Sequence, residues 1–173
     1  MNIDRPTASE FNDYYARYID RVPPSGPVAA LREQIARFEQ LAGLTEDRAA
    51  YRYAEGKWNV KEVIGHMADT ERMFSYRLLH IARNDQAPLP GMDEKVWAAS
   101  APHAARNVQD VAAEMIAVRR ATLALVESLD AEAVARAGVA SNFPVSARAL
   151  VWILPGHAEH HLAVMRERYD ISS

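Results

Sequence analysis

The chain has 173 residues, a formal net charge of -3 and no cysteine, with 49% hydrophobic and 25% charged residues. This predicts a single domain over residues 1–173. The acidic balance and the missing cysteines argue against a nucleic-acid partner, disulfides, thiolate ligands and a cysteine nucleophile, so any thiol chemistry must borrow its thiol. No apolar run approaches the roughly 20 residues of a membrane span and Met1 to Pro6 forms no apolar signal core, so the expectation is a cytoplasmic protein without a membrane partner.

Apolar and aromatic residues at helical spacing, Phe11, Tyr14, Tyr15 and Tyr18, predict a short N-terminal helix from Ala8 to Ile19. The cluster Pro23-Pro24-Ser25-Gly26-Pro27 then marks a loop. Val28, Leu31, Ile35, Phe38 and Leu41 step by three and four between charged residues, giving an amphipathic helix that ends near Gly43. A second helix follows Trp58, where Asn59 is placed to cap and Glu62 to close a capping box. Its inward face reads Val63, His66, Met67, Thr70, Phe74, Leu78 and Ile81.

The connection from about Asn84 to Arg106 is longer than most links within a bundle, which makes it a candidate lid or wall. A third helix, about Asn107 to Leu129, carries Val108, Val111, Met115, Val118, Thr122, Leu125 and Leu129 on one stripe. Asn142-Phe143-Pro144 reads as a loop. The fourth helix, about Ser146 to Tyr169, aligns Leu150, Leu154, His157, His161 and Val164, with Pro155 inside it predicting a kink or a restart. No stretch alternates with period two, so the fold class is all-α, a four-helix bundle.

His157 and His161 are four residues apart and project from the same side of their helix, about 40° apart around its axis. His66 lies on the inward stripe of another helix, and a bundle can bring all three imidazoles to one point. A single buried histidine is ordinarily satisfied by a carbonyl or a water. Three on apolar stripes need a common reason, because each left unpartnered costs about 1–3 kcal/mol. One divalent transition-metal ion on His66, His157 and His161 supplies it, since imidazole suits such ions whereas Mg and Ca prefer oxygen. His160 is three residues from His157 and offers an alternative pairing, but leans off the stripe as a flanking group. His80 and His103 read as ordinary polar positions. The zincin order HExxH is absent, because Glu159 follows His157 by two places. Asp69 is a candidate acceptor behind His66.

Trp58-Asn-Val-Lys-Glu62-Val-Ile-Gly-His66-Met-Ala-Asp69, the late His157-Ala-Glu-His-His161 and the Asp93-Glu94-Lys95-Val96-Trp97 segment resemble the DinB-like superfamily, whose members are also called YfiT-like. The resemblance covers almost the whole chain. It implies an up-up-down-down four-helix bundle, often a homodimer, with nickel or zinc on three histidines, and it carries the ligand role to the same His66, His157 and His161. It also implies a small-molecule substrate. Some relatives resemble thiol S-transferases or isomerases using a low-molecular-weight thiol, and many are labelled metal-dependent hydrolases without an established substrate. The expected function is therefore metal-dependent activation of a thiol or water, in a transferase or a hydrolase. The alternative is a non-catalytic bundle that the ion stabilises, or one that binds a small ligand.

Overall fold

The computed structural model describes residues 3–172. Four long helices build the bundle: α2 (Pro27–Ala42), α4 (Val60–Ala82), α6 (Val108–Glu127) and α8 (Ala147–Tyr169). Short helices lie at α1 (Ala16–Ile19), α3 (Glu46–Ala50), α5 (Glu94–Ser100) and α7 (Ala131–Ala135). The capping box expected at Asn59 and Glu62 is complete, with each residue's side chain accepting from the other's backbone N–H. Ser146 caps α8 through the N–H of Ala149, and that helix runs unbroken through Pro155.

The N-terminal segment is not one helix. Two 3-10 turns, Ala8–Glu10 and Asp13–Tyr15, precede α1, and Phe11 between them is extended. Asn12 restarts the chain by accepting a hydrogen bond from the N–H of Tyr14, a local bond that competes with a continuous helix. A second departure is a small antiparallel hairpin, β1 (Ala137–Ala140) and β2 (Phe143–Ser146), where a loop and no strand were expected. Its two-residue turn places Ser141 and Asn142 at φ 54° and 66°, the paired left-handed geometry that suits tight hairpins. Strands of four residues are too short to declare an alternation in sequence.

α2 packs against α6 and α8, and α4 packs against the same two. Cross-helix pairs fix the directions. Arg32 meets Glu127 and Glu39 meets Arg120, so α2 and α6 are antiparallel. Glu71 meets Arg119 and Ser75 meets Thr122, so α4 and α6 are parallel. Tyr169 bonds the Trp58 carbonyl while Phe74 faces His157, so α4 and α8 are antiparallel. The order is thus up-down-down-up and corrects the up-up-down-down arrangement. Parallel neighbours α4 and α6 require the chain to return along a helix of about 34 Å, which explains the length of residues 83–107. Leu89 in this crossover exchanges backbone bonds with Val139 and Ser141, tying it to the hairpin.

Two apolar clusters fill the bundle, one around Phe74, Leu78, Val126 and Leu150, the other around Phe38, Ile64, Met115 and Leu162. A polar layer lies between them. Arg119, fully buried, donates from Nε and Nη2 to the Glu71 carboxylate and from Nη1 to the Gln34 carbonyl. Gln34 donates to the Pro155 carbonyl and to Glu159, which also pairs with Arg37. This places Arg119 on the inward stripe of α6 where Val118 was expected, while Val118 and Leu125 are only half-buried. Removing one partner of such a pair strands a charge, so Arg119→Met should destabilise the protein by about 3–5 kcal/mol in denaturant titration. Arg119→Met combined with Glu71→Leu should recover most of that loss.

Candidate metal centre

His66 stands on the second turn of α4, and His157 and His161 stand one turn apart in the middle of α8. Antiparallel packing of these helices brings the three rings together, with centroids 4.5 to 5.3 Å apart. One ring nitrogen from each lies within 4.8 Å of the others, and the Nε2 atoms of His157 and His161 are 3.1 Å apart. Two nitrogens bound to one ion at about 2.0–2.1 Å would stand roughly 2.9–3.4 Å apart, so the His157–His161 pair already has the spacing of two ligands on one divalent transition ion, with a His66 nitrogen within 4.8 Å of both. His157 and His161, paired by their spacing, and His66, taken from its inward stripe and the family resemblance, lie together. His160 flanks them, its ring 5.0 Å from that of His161.

Aromatic rings hold this arrangement. Trp58 packs on His66 at 4.8 Å, and Tyr18 and Phe74 face His157 edge-on at 5.2 and 6.1 Å. The Thr70 hydroxyl, one turn after His66, lies 3.4 Å from its Nδ1. Two glycines, each directly preceding a ligand candidate, admit the surroundings. A Cβ on Gly65 would fall 2.2 Å from the His103 ring, and one on Gly156 would fall 2.1 Å from the Tyr18 carbonyl oxygen.

His103 is thus no ordinary polar position: it is buried against Gly65, and its Nε2 lies 2.9 Å from Asp69 Oδ2. Asp69 serves His103 and Arg72, and makes no hydrogen bond to His66. Glu159 is occupied by Gln34 and Arg37.

Burial pushes the His66 pKa down to about 4, with the Asp69 carboxylate opposing that shift and His103 and His160 adding to it. Burial, reinforced by neighbouring histidines, also holds His157 and His161 well below the usual histidine range. All three are neutral at pH 7 and have their lone pairs available as ligands.

A cavity of about 220 Å³ opens on His66 and His157, lined further by Tyr14, Tyr15, Tyr18 and Arg77. Met92 and Glu94 of the crossover close part of it, so the long connection is a wall of the site. A second cavity of about 330 Å³ borders His160 and His161, beside Trp58 and Lys57. Arg77, on the wall of the first cavity, was missed in the sequence, although eleven residues return it to the stripe of His66.

The sequence pattern of the DinB superfamily matches residues 30–165. This chain belongs to that superfamily. A protein of Oceanobacillus iheyensis named "Putative metal-dependent hydrolase OB0413" is 27% identical over 127 residues, 72% of each chain. YfiT from Bacillus subtilis, described as a probable metal-dependent hydrolase with an unusual four-helix bundle topology, aligns with a TM-score of 0.70. That alignment covers 95% of this chain and 90% of YfiT at 19% identity, a likeness of fold. Among the described residues no helix is long and apolar enough to cross a membrane.

Two outcomes follow for the metal-free protein. Because His66 is depressed to about 4 when folded, against about 6.5 when unfolded, unfolding takes up protons between those values. Stability should be complete above pH ~6.5 and fall progressively as the pH drops toward 4, measured as denaturation midpoints across that range. Gly156→Ala should destabilise by about 1–3 kcal/mol through its clash with the Tyr18 carbonyl, in the same assay at pH 7.5.

Proposed function

We propose that His66, His157 and His161 hold one divalent transition-metal ion, nickel or zinc, and that the chain is a metal-dependent hydrolase of a small molecule. The observation that carries this reading is the convergence of three neutral imidazoles beside a cavity, with no fourth protein donor in the cluster among the described residues. Three neutral ligands leave the ion its full charge and leave coordination positions open, the arrangement of catalytic sites rather than closed structural ones. When bound, the ion supplies Lewis acidity that brings the pKa of a water or a thiol toward neutrality. The protein's own part is positional. α4 and α8 present the nitrogens, Trp58 and Tyr18 pack on the imidazole rings, and Phe74 with the three tyrosines gives the otherwise polar cavity an aromatic side. The names of the two relatives support hydrolysis.

Thiol transfer is the second reading, favoured by two cavities that border the histidines, one at His66 and His157 and one at His160 and His161, and by the absence of cysteine. Two cavities at one histidine cluster accommodate two reactants.

Untagged protein should bind close to one equivalent of nickel or zinc by elemental analysis, and His157→Ala should bind far less. Zinc- or nickel-loaded protein should hydrolyse an activated aryl ester, or join a cellular thiol to a chloro-aromatic, at a rate that chelation abolishes. Metal uptake unchanged in His157→Ala would overturn the site. Full uptake with no turnover in either assay would leave the ion a stabilising role only, seen as a fall in melting temperature on chelation.

A further inference from the structure

The bundle buries two arginines on its inward faces, and they are treated differently. Arg119 has its charge matched by Glu71 through two hydrogen bonds. Arg77, 3% exposed, has no carboxylate within ion-pair distance among the described residues. Both of its hydrogen bonds leave from Nη2, to the carbonyl of Pro90 and the hydroxyl of Ser141, which are neutral. Nε and Nη1 donate to no protein group among the described residues. A buried guanidinium with neutral partners retains a full positive charge, and buried charges are ordinarily paired. The cavity that contains His66 and His157 also contains Arg77. Its one acidic wall residue, Glu94, is exposed at the start of α5 and makes no ion pair with Arg77.

Distance is favourable as well. Phe74 lies 6.1 Å from the His157 ring and 5.9 Å from Arg77 Cζ, so one small molecule lying along Phe74 can touch both ends of the cavity. The remaining wall includes Met73, Phe74 and the three tyrosines, which can pack on an aromatic body, together with the hydroxyls of Thr70 and Ser141.

We infer that Arg77 is the anion receptor of this cavity, binding the carboxylate or phosphate of a substrate whose apolar body lies along Phe74 and whose reacting group faces the three histidines. The guanidinium fork matches either anion, and charge-assisted bonds in a partly dry site discriminate strongly against a neutral isostere. What reacts at the far end rests on the metal reading above; the anion site does not.

The test is therefore made on metal-free protein at pH 7.5, by calorimetric titration with phenylacetate, phenyl phosphate and the neutral phenylacetamide. At least one anion should bind about ten-fold or more tightly than the amide, and the tighter anion names the class. Arg77→Gln should abolish that preference, Arg77→Lys should retain it at weaker affinity, and Ser141→Ala, which removes one anchor but keeps the charge, should also retain it. Should Arg77→Gln fail to fold, the Nε resonance of Arg77 in wild-type protein, assigned by its loss in Arg77→Lys, should shift with the anion and not with the amide. Equal binding of acid and amide, or a preference that survives Arg77→Gln, would overturn the inference. Failure to take up metal would leave these titrations unaffected, and loss of anion preference would leave metal uptake unaffected.

Discussion

The buried Arg119–Glu71 pair is the constraint on which the geometry of this bundle depends. Its members come from α6 and α4, and Gln34 extends the contact to α2 and, through Pro155 and Glu159, to α8. A stripe of leucines tolerates sliding by a turn because one apolar contact resembles the next. A guanidinium with fixed donors does not, since any shift leaves a charge unpartnered in a dry interior. Glu71 is five residues past His66, and Glu159 lies between His157 and His161. The layer that sets helix register thus also sets the height at which the histidines meet.

Topology supplies the rest of the site. With α4 and α6 parallel, the chain must travel the length of the bundle between them, and the path taken runs across the face where α4 meets α8. Met92 and Glu94 close part of the main cavity on the way, Leu89 is fastened to the hairpin, and His103 seals the outside of α4 at Gly65. A connection whose length follows from helix direction therefore becomes a wall of the pocket.

Much of this was legible in the amino-acid order. The periodicity of α2, α4 and α8, the Asn59–Glu62 capping box and the pairing of His157 with His161 follow from rules that act within one helix, whereas the place of His66 beside them depends on the bundle and on the family resemblance. The features that escaped are those in which a polar group turns inward. Arg119 displaced Val118 from the core stripe because hydropathy alone assigns a charged residue to solvent, and the partner that cancels the charge is distant in sequence. Arg77 and His103 were hidden for the same reason. The hairpin was too short to show alternation, and the N-terminal segment broke where Asn12 bonded locally. Helix direction is not written in any single stripe. It depends on which ends of the helices the connections join.

Gly156 gives the N-terminal segment an importance that its length does not suggest. Because no side chain stands between α8 and α1, the Tyr18 carbonyl lies on the backbone turn that carries His157, and Tyr14, Tyr15 and Tyr18 form one side of the cavity. Residues 14–18 are therefore part of the pocket. A chain cut back to the four long helices would keep all three histidines and Arg77, yet lose the aromatic flank that gives the space in front of them its shape.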